Sequence, residues 1–230
     1  MLGKSIRSNS LALGLFALIT AALLAFTDLK TKEPIAEAKR EVAKRALLEI
    51  VPLERHNNDL LVDTLEVPAA YWPTLGIKGG NINIARKGNE LVAVIIPTVA
   101  PDGYSGDIHM IVGINVDGTI AGVRVTSHKE TPGLGDKVDL NKHNWILGFN
   151  GKSLTNPKLK DWKVKKDKGS FDQFTGATIT PRAVVQQVLK TLQYYKEDQQ
   201  RLLKAAQQAE AQENPDPTKA LEPEKVPDNG

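Results

Sequence analysis

Ten residues late in the chain, Asp172-Gln173-Phe174-Thr175-Gly176-Ala177-Thr178-Ile179-Thr180-Pro181, combine hydroxyls, very small side chains and a helix start. Thr180 reads as an N-cap and Pro181 as the first helical residue, each a favoured type at that position. Thr178 then sits at the mouth of a helix, where unpaired backbone N–H groups and the positive dipole end favour an anion. Gly176 and Ala177 carry almost no side chain, so a bulky phosphorylated group can approach the backbone closely. Taken alone, these residues also describe a plain strand-to-helix turn with a threonine cap. A second stretch with chemical character is the glycine- and proline-rich loop His128-Lys129-Glu130-Thr131-Pro132-Gly133-Leu134-Gly135.

Other chemistries are disfavoured. There is no cysteine, so disulfides, thiolate metal sites, cysteine-ligated iron–sulfur clusters and cysteine nucleophiles are excluded. His56, His109, His128 and His143 show no metal-ligand spacing, and a packing or surface role is expected of each. Gly133-Leu134-Gly135 does not complete a dinucleotide fingerprint, because Val138 stands where the third glycine belongs. A net charge of +3 on 230 residues argues against a nucleic-acid binder. The basic character is local: Lys152–Lys168 holds seven lysines against two aspartates. Lys160, Lys163, Lys165 and Lys166 are candidate partners for an anion near Thr178, although a lysine run is ordinarily a solvated face. Trp72, Trp145 and Trp162 read as packing residues, with Trp162 placed where it could border a site.

Both chemical segments resemble one family. The run from Asp172 through Thr175 to Gly176-Ala177-Thr178 is similar to the flavinylation signature of the flavin-carrying subunits of the ion-translocating Rnf (Rsx) electron-transport complex and of the sodium-pumping NADH:quinone oxidoreductase. Gly103-Tyr104-Ser105-Gly106, the Asp117-Gly118 pair and His128–Gly135 resemble the characteristic run of the FMN-binding domain in the same proteins. The resemblance covers roughly residues 8–200. It implies FMN attached to Thr178 through a phosphoester, installed by a flavin transferase that uses FAD as donor. Asp172 would open the motif, with Thr175, Gly176 and Ala177 leading to the acceptor. It further implies that Glu130, Thr131, Gly133 and Leu134 pack near the isoalloxazine ring. The expected role is electron relay among the other subunits of a membrane complex, with no complete turnover by this chain alone. The phrase FDQFTGATITPRAVV and the short chain with its acidic tail favour the Rnf side of the resemblance. A membrane-anchored binding or scaffold module without cofactor is the alternative of another class.

The elements that must position these residues follow from patterning. Residues 8–27 are uncharged, and Leu11–Phe26 reads LALGLFALITAALLAF. About twenty apolar helical residues cross a hydrocarbon layer of about 30 Å, so a single transmembrane helix is expected over 8–27. Lys4 and Arg7 precede it and the charges after it cancel, which places residues 1–7 in the cytoplasm and the bulk of the chain outside it. The resemblance implies that the membrane is a bacterial inner membrane and that this bulk is periplasmic. No convincing cleavage site precedes Thr27, so an uncleaved anchor is expected. A juxtamembrane helix over 28–52 is expected, with Pro34 at its start and Pro52 closing it. The FMN-binding domain would occupy 53–205 as an α+β fold, an antiparallel sheet with flanking helices. Arg55–Leu75 reads as irregular. Glu90–Val99 reads as a strand buried on both faces, and Ile108–Val116 and Thr119–Ser127 as a hairpin about Asp117-Gly118. A helix from Pro181 to about Gln207 would bury Val184, Val185, Val188, Leu189, Leu192 and Tyr195. Residues 206–230, acidic and proline-containing, are expected to be disordered.

Overall fold

The computed structural model describes residues 2–88 and 90–213, in two compact units, Met1–Arg45 and Ala46–Gly230. Helix α1 runs Leu2–Ile50 and carries Pro34 inside it rather than at a start. Its first unit is long and apolar enough to cross a membrane, and Leu11, Phe16, Leu18 and Leu24 are all exposed around it. A helix apolar on every side suits a lipid environment. Two of its hydroxyls bond back within the helix: Thr20 and Thr27 donate to the carbonyls of Phe16 and Leu23, both at 2.8 Å.

The second unit is built on a five-stranded antiparallel meander: β1 (Thr64–Glu66), β2 (Asn81–Lys87), β3 (Glu90–Gly103), β4 (Gly106–Asn115) and β5 (Ile120–Ser127). The Asp117-Gly118 turn joins β4 to β5 as expected, with Gly118 at φ +83° and the Asp117 carboxylate accepting the Thr119 N–H at 2.9 Å. The stretch 55–75 is less irregular than its prolines suggest. It holds β1, a 3₁₀ turn at Ala69–Tyr71 and a short helix α2 (Trp72–Leu75). Strand β2 was not expected.

Strand β3 is buried on both faces, as its unbroken apolar run predicts. Val94 and Ile96 face the main core beneath helix α3 (Ile179–Glu213), where Val184, Val185, Val188, Leu192 and Tyr195 pack and Leu189 is partly buried. Ala93 and Ile95 face a smaller cluster formed with Leu47, Ile50, Val51 and Leu60. There Ile50 rests over the paired glycines Gly113 and Gly122. A Cβ on Gly113 would lie only 2.1 Å from the Ile50 methyl. Arg124 secures the same helix end, donating to the Glu49 carboxylate at 2.8 Å and to the Glu49 carbonyl at 3.2 Å.

Helix α3 begins at Ile179 and extends past Gln207 to Glu213, and residues 214–230 of the expected disordered tail lie outside the described residues. Between β5 and α3 the chain forms 3₁₀ turns at Gly135–Val138, Asn144–Phe149, Leu159–Asp161 and Lys165–Asp167. An aromatic cluster holds this segment in place of regular hydrogen bonding. Phe149 stacks on Phe171 at 4.8 Å, Trp162 meets Phe171 at 5.0 Å, and Trp145 meets Phe149 edge-on at 5.4 Å. Trp162 is 1% exposed and belongs to this core, so it does not border the site.

Candidate functional site

The start of α3 lies two residues earlier than the sequence suggests. The Thr178 carbonyl accepts the Arg182 N–H at 3.3 Å, the first helical bond, which gives Thr178 the N-cap position. Thr180 is therefore not the cap. It lies inside the first turn, fully buried, and its hydroxyl donates to the Glu130 carboxylate. Proline and threonine remain acceptable there because first-turn amides have no intrahelical partner to lose.

The residues before Thr178 form a tight turn. The Ala177 N–H donates to the Phe174 carbonyl at 3.1 Å, and Gly176 occupies the third position at φ +80°. A type II turn requires that conformation, which a side chain would strain. The turn is anchored below by buried Phe174, against which Trp145 packs at 5.2 Å. Thr178 is thereby presented, half-buried, between this turn and the helix.

A cavity of about 500 Å³ opens at this point. Glu130, Thr131 and Leu134 of one loop and Gly176, Ala177 and Thr178 of the turn before α3 line it together. Six of the expected site residues are thus brought together. Three are not among its lining. Gly133, at φ +76°, shapes the loop; Thr175 is exposed on the turn; and Asp172 is exposed, its carboxylate 2.5 Å from the Lys165 ammonium. Of the four candidate lysines, Lys166 alone lines the cavity. Tyr104, Gly135, Ile179 and Thr180 also line it. Tyr104 belongs to the Gly103–Gly106 motif, but the sequence does not single it out as a site residue.

The loop carrying Lys166 is fixed from several sides. Arg182, in the first turn of α3, holds Asp167 through two bonds of 2.7 and 2.9 Å. The Arg182 guanidinium beside Asp167 keeps that carboxyl below its ordinary value, and the same contact raises Arg182. Lys168 adopts φ +61°, and Gly169 passes so close to Lys163 that a Cβ would strike its carbonyl.

Volume and lining suit a flavin mononucleotide. Ligand sites occupy about 300–1,000 Å³ and are mostly apolar with a few placed polar groups. Leu134, Ile179 and Tyr104, each at least 42% exposed, offer an apolar rim for a flat ring. The α3 N-terminus and Lys166 offer positive potential for a phosphate. A Cβ on Gly176 would touch Leu134 at 3.7 Å, so a larger residue there would press against that side chain.

Comparison with known proteins agrees with this geometry. A family model described as an FMN-binding domain matches residues 103–193, from the end of β3 into α3. The chain therefore carries an FMN-binding domain on an α+β fold. A second family model, described as the RnfG N-terminal region, matches residues 1–50. The G subunit of the ion-translocating oxidoreductase complex of Pseudomonas aeruginosa is 47% identical over 201 residues, 87% of this chain and 93% of that one. The proteins of the same name from Shewanella loihica and Vibrio cholerae are 47% and 45% identical, over 91% and 86% of this chain and 98% and 94% of theirs. The chain belongs to the RnfG family, the G subunits of ion-translocating oxidoreductase complexes, which decides between the two complexes that its motifs resemble.

Proposed function

We propose that this chain is an FMN-bearing electron-relay subunit of a membrane-bound ion-translocating oxidoreductase complex, with the flavin joined to Thr178 through a phosphoester. The observation that carries this reading is the position of Thr178. It caps α3 and lines the cavity together with Glu130, Thr131 and Leu134 of the neighbouring loop. The names of its relatives support the redox and ion-translocating context.

In the attachment step, the Thr178 Oγ attacks the FMN phosphorus of FAD. The Oγ–P bond forms as the phosphoanhydride bond breaks, AMP leaves with the bond's electron pair, and the hydroxyl proton passes to a base of the transferase. A threonine hydroxyl is a weak nucleophile, so activation comes from that enzyme and its metal, and this chain is the substrate. The free amides of the first α3 turn and Lys166 would hold the remaining phosphodiester charge. When bound, FMN supplies one- and two-electron chemistry. Leu134, Ile179 and Tyr104 would hold the ring and keep water from that side of it. A covalent link keeps the cofactor on a domain outside the cytoplasm, where a dissociable one would be lost.

In this reading residues 8–27 anchor the chain in the inner membrane with 1–7 cytoplasmic, and 53–205 form the periplasmic flavin domain. The other complex subunits supply the electron donor and acceptor. Production of the full chain with and without the transferase tests the attachment. Denatured wild-type protein made with the transferase keeps flavin fluorescence in a gel band, and Thr178→Ala abolishes it.

A further inference from the structure

Glu130 lines the cavity, yet its carboxylate is occupied elsewhere. The residue is 4% exposed. Its Oε1 accepts the backbone N–H of Ser105 at 2.8 Å, and its Oε2 accepts the Thr180 hydroxyl. Ser105 lies at the β3–β4 connection, Glu130 at the head of the ring-side loop, and Thr180 in the first turn of α3. One buried carboxylate therefore joins three of the four segments that line the cavity, the Lys166 loop being the fourth.

The backbone is shaped around this junction. A Cβ on Gly135 would stand 2.8 Å from both Glu130 Oε2 and Thr180 Oγ1, and one on Gly103 would stand 2.9 Å from Glu130 Oε1. Both distances are too short for a real side chain, so the glycines leave the carboxylate the space it fills. A buried carboxylate with two donors is costly to leave half-satisfied, which makes the junction act as a unit.

We propose that Glu130 is a positioning residue: acting through Thr180, it fixes Thr178 against the 130–135 loop, so that acceptor hydroxyl and flavin pocket are in register before FMN arrives. The junction stands on the hydrogen bonds above. Its consequence for flavin attachment rests on the reading of Thr178 given under Proposed function.

Hydrogen exchange of the full-length chain made without transferase tests the junction by itself, and the rate of flavin incorporation with purified transferase and FAD tests its consequence. In Thr180→Val, which keeps shape and loses the donor, amides of 131–138 and of 178–182 exchange together about tenfold faster, the scale of one lost hydrogen bond. Flavin incorporation slows by at least a comparable factor at a temperature where the chain remains folded. Thr180→Ser restores both. Gly135→Ala, whose Cβ would separate the two oxygens, repeats the paired acceleration and gives a second test should Thr180→Val not fold. Unchanged exchange, or acceleration in one segment alone, overturns the junction. Wild-type flavin incorporation in a variant with accelerated exchange overturns the positioning role. Paired acceleration in a chain whose wild type takes no covalent flavin upholds the junction and removes the Thr178 reading instead.

Discussion

The indole N–H of Trp145 donates to the backbone carbonyl of Asp172 at 2.9 Å, while its ring meets Phe174 edge-on at 5.2 Å. One side chain thereby holds two residues of the segment that leads into the turn before Thr178. The Asp172 carboxylate is left outside, paired with Lys165. Trp145→Phe keeps an aromatic ring and loses the donor. A loss of about 1 kcal/mol is expected, the net contribution of one hydrogen bond, measurable by urea unfolding of the full chain in detergent. An unchanged midpoint would show that the tryptophan serves packing only.

Lys166 lines the cavity, whereas Lys160 and Lys163 are exposed beyond it and Lys165 is engaged with Asp172. Lys166→Ala is therefore expected to weaken binding of free FMN to the untreated chain, by about 10- to 150-fold if one charge-assisted hydrogen bond is lost. Lys160→Ala should leave it alone. Equal effects from both would point to a diffuse field in place of a specific contact. Flavin fluorescence titration at two salt concentrations separates these cases.

Gly113→Ala should destabilise the sheet. The added Cβ would lie 2.1 Å from the Ile50 methyl, and overpacking of this kind typically costs about 1–3 kcal/mol. Ile50→Ala removes that methyl, so it should cost less in the Gly113→Ala background than in wild type. Additive melting shifts in the double variant would contradict the contact.

The Asp167–Arg182 pair gives a pH signature. Its hydrogen bond to Arg182 lowers the Asp167 carboxyl from an ordinary 3.8. A carboxyl depressed in the folded state contributes stability in full above its unfolded value and loses it as pH falls through the folded one. The melting-temperature difference between wild type and Asp167→Asn should stay level from neutrality to 3.8 and close below it. Because both side chains are at least 34% exposed, the difference should be small and should shrink with salt. A difference that widens on acidification would contradict the pairing.

The legible parts of the fold are those specified by neighbours in sequence. Asp117-Gly118 is a local turn signal, the apolar run of β3 fits burial on both faces, and the α3 stripe repeats at helical spacing. The apolar N-terminal helix is legible from composition alone. Strand β2, NINIARK, offers only Ile82 and Ile84 in alternation between asparagines, and its identity comes from pairing with β3. The site divides the same way. Thr178 and the Glu130–Leu134 loop were marked by their motifs. The engagement of Thr180 by a carboxylate fifty residues away had no local trace. Neither did the selection of Lys166 from its neighbours, which depends on how Asp167, Lys168 and Gly169 turn the loop against α3.

A covalent bond at the Thr178 hydroxyl is measured most directly by intact-mass analysis of the denatured full-length chain. Wild type produced with the transferase is predicted to gain the mass of FMN less one water, assigned by peptide fragmentation to Thr178, and Thr178→Ala to gain nothing. An unmodified wild-type mass with FMN released into the supernatant on denaturation, or the same gain on another residue, would contradict the Thr178 linkage.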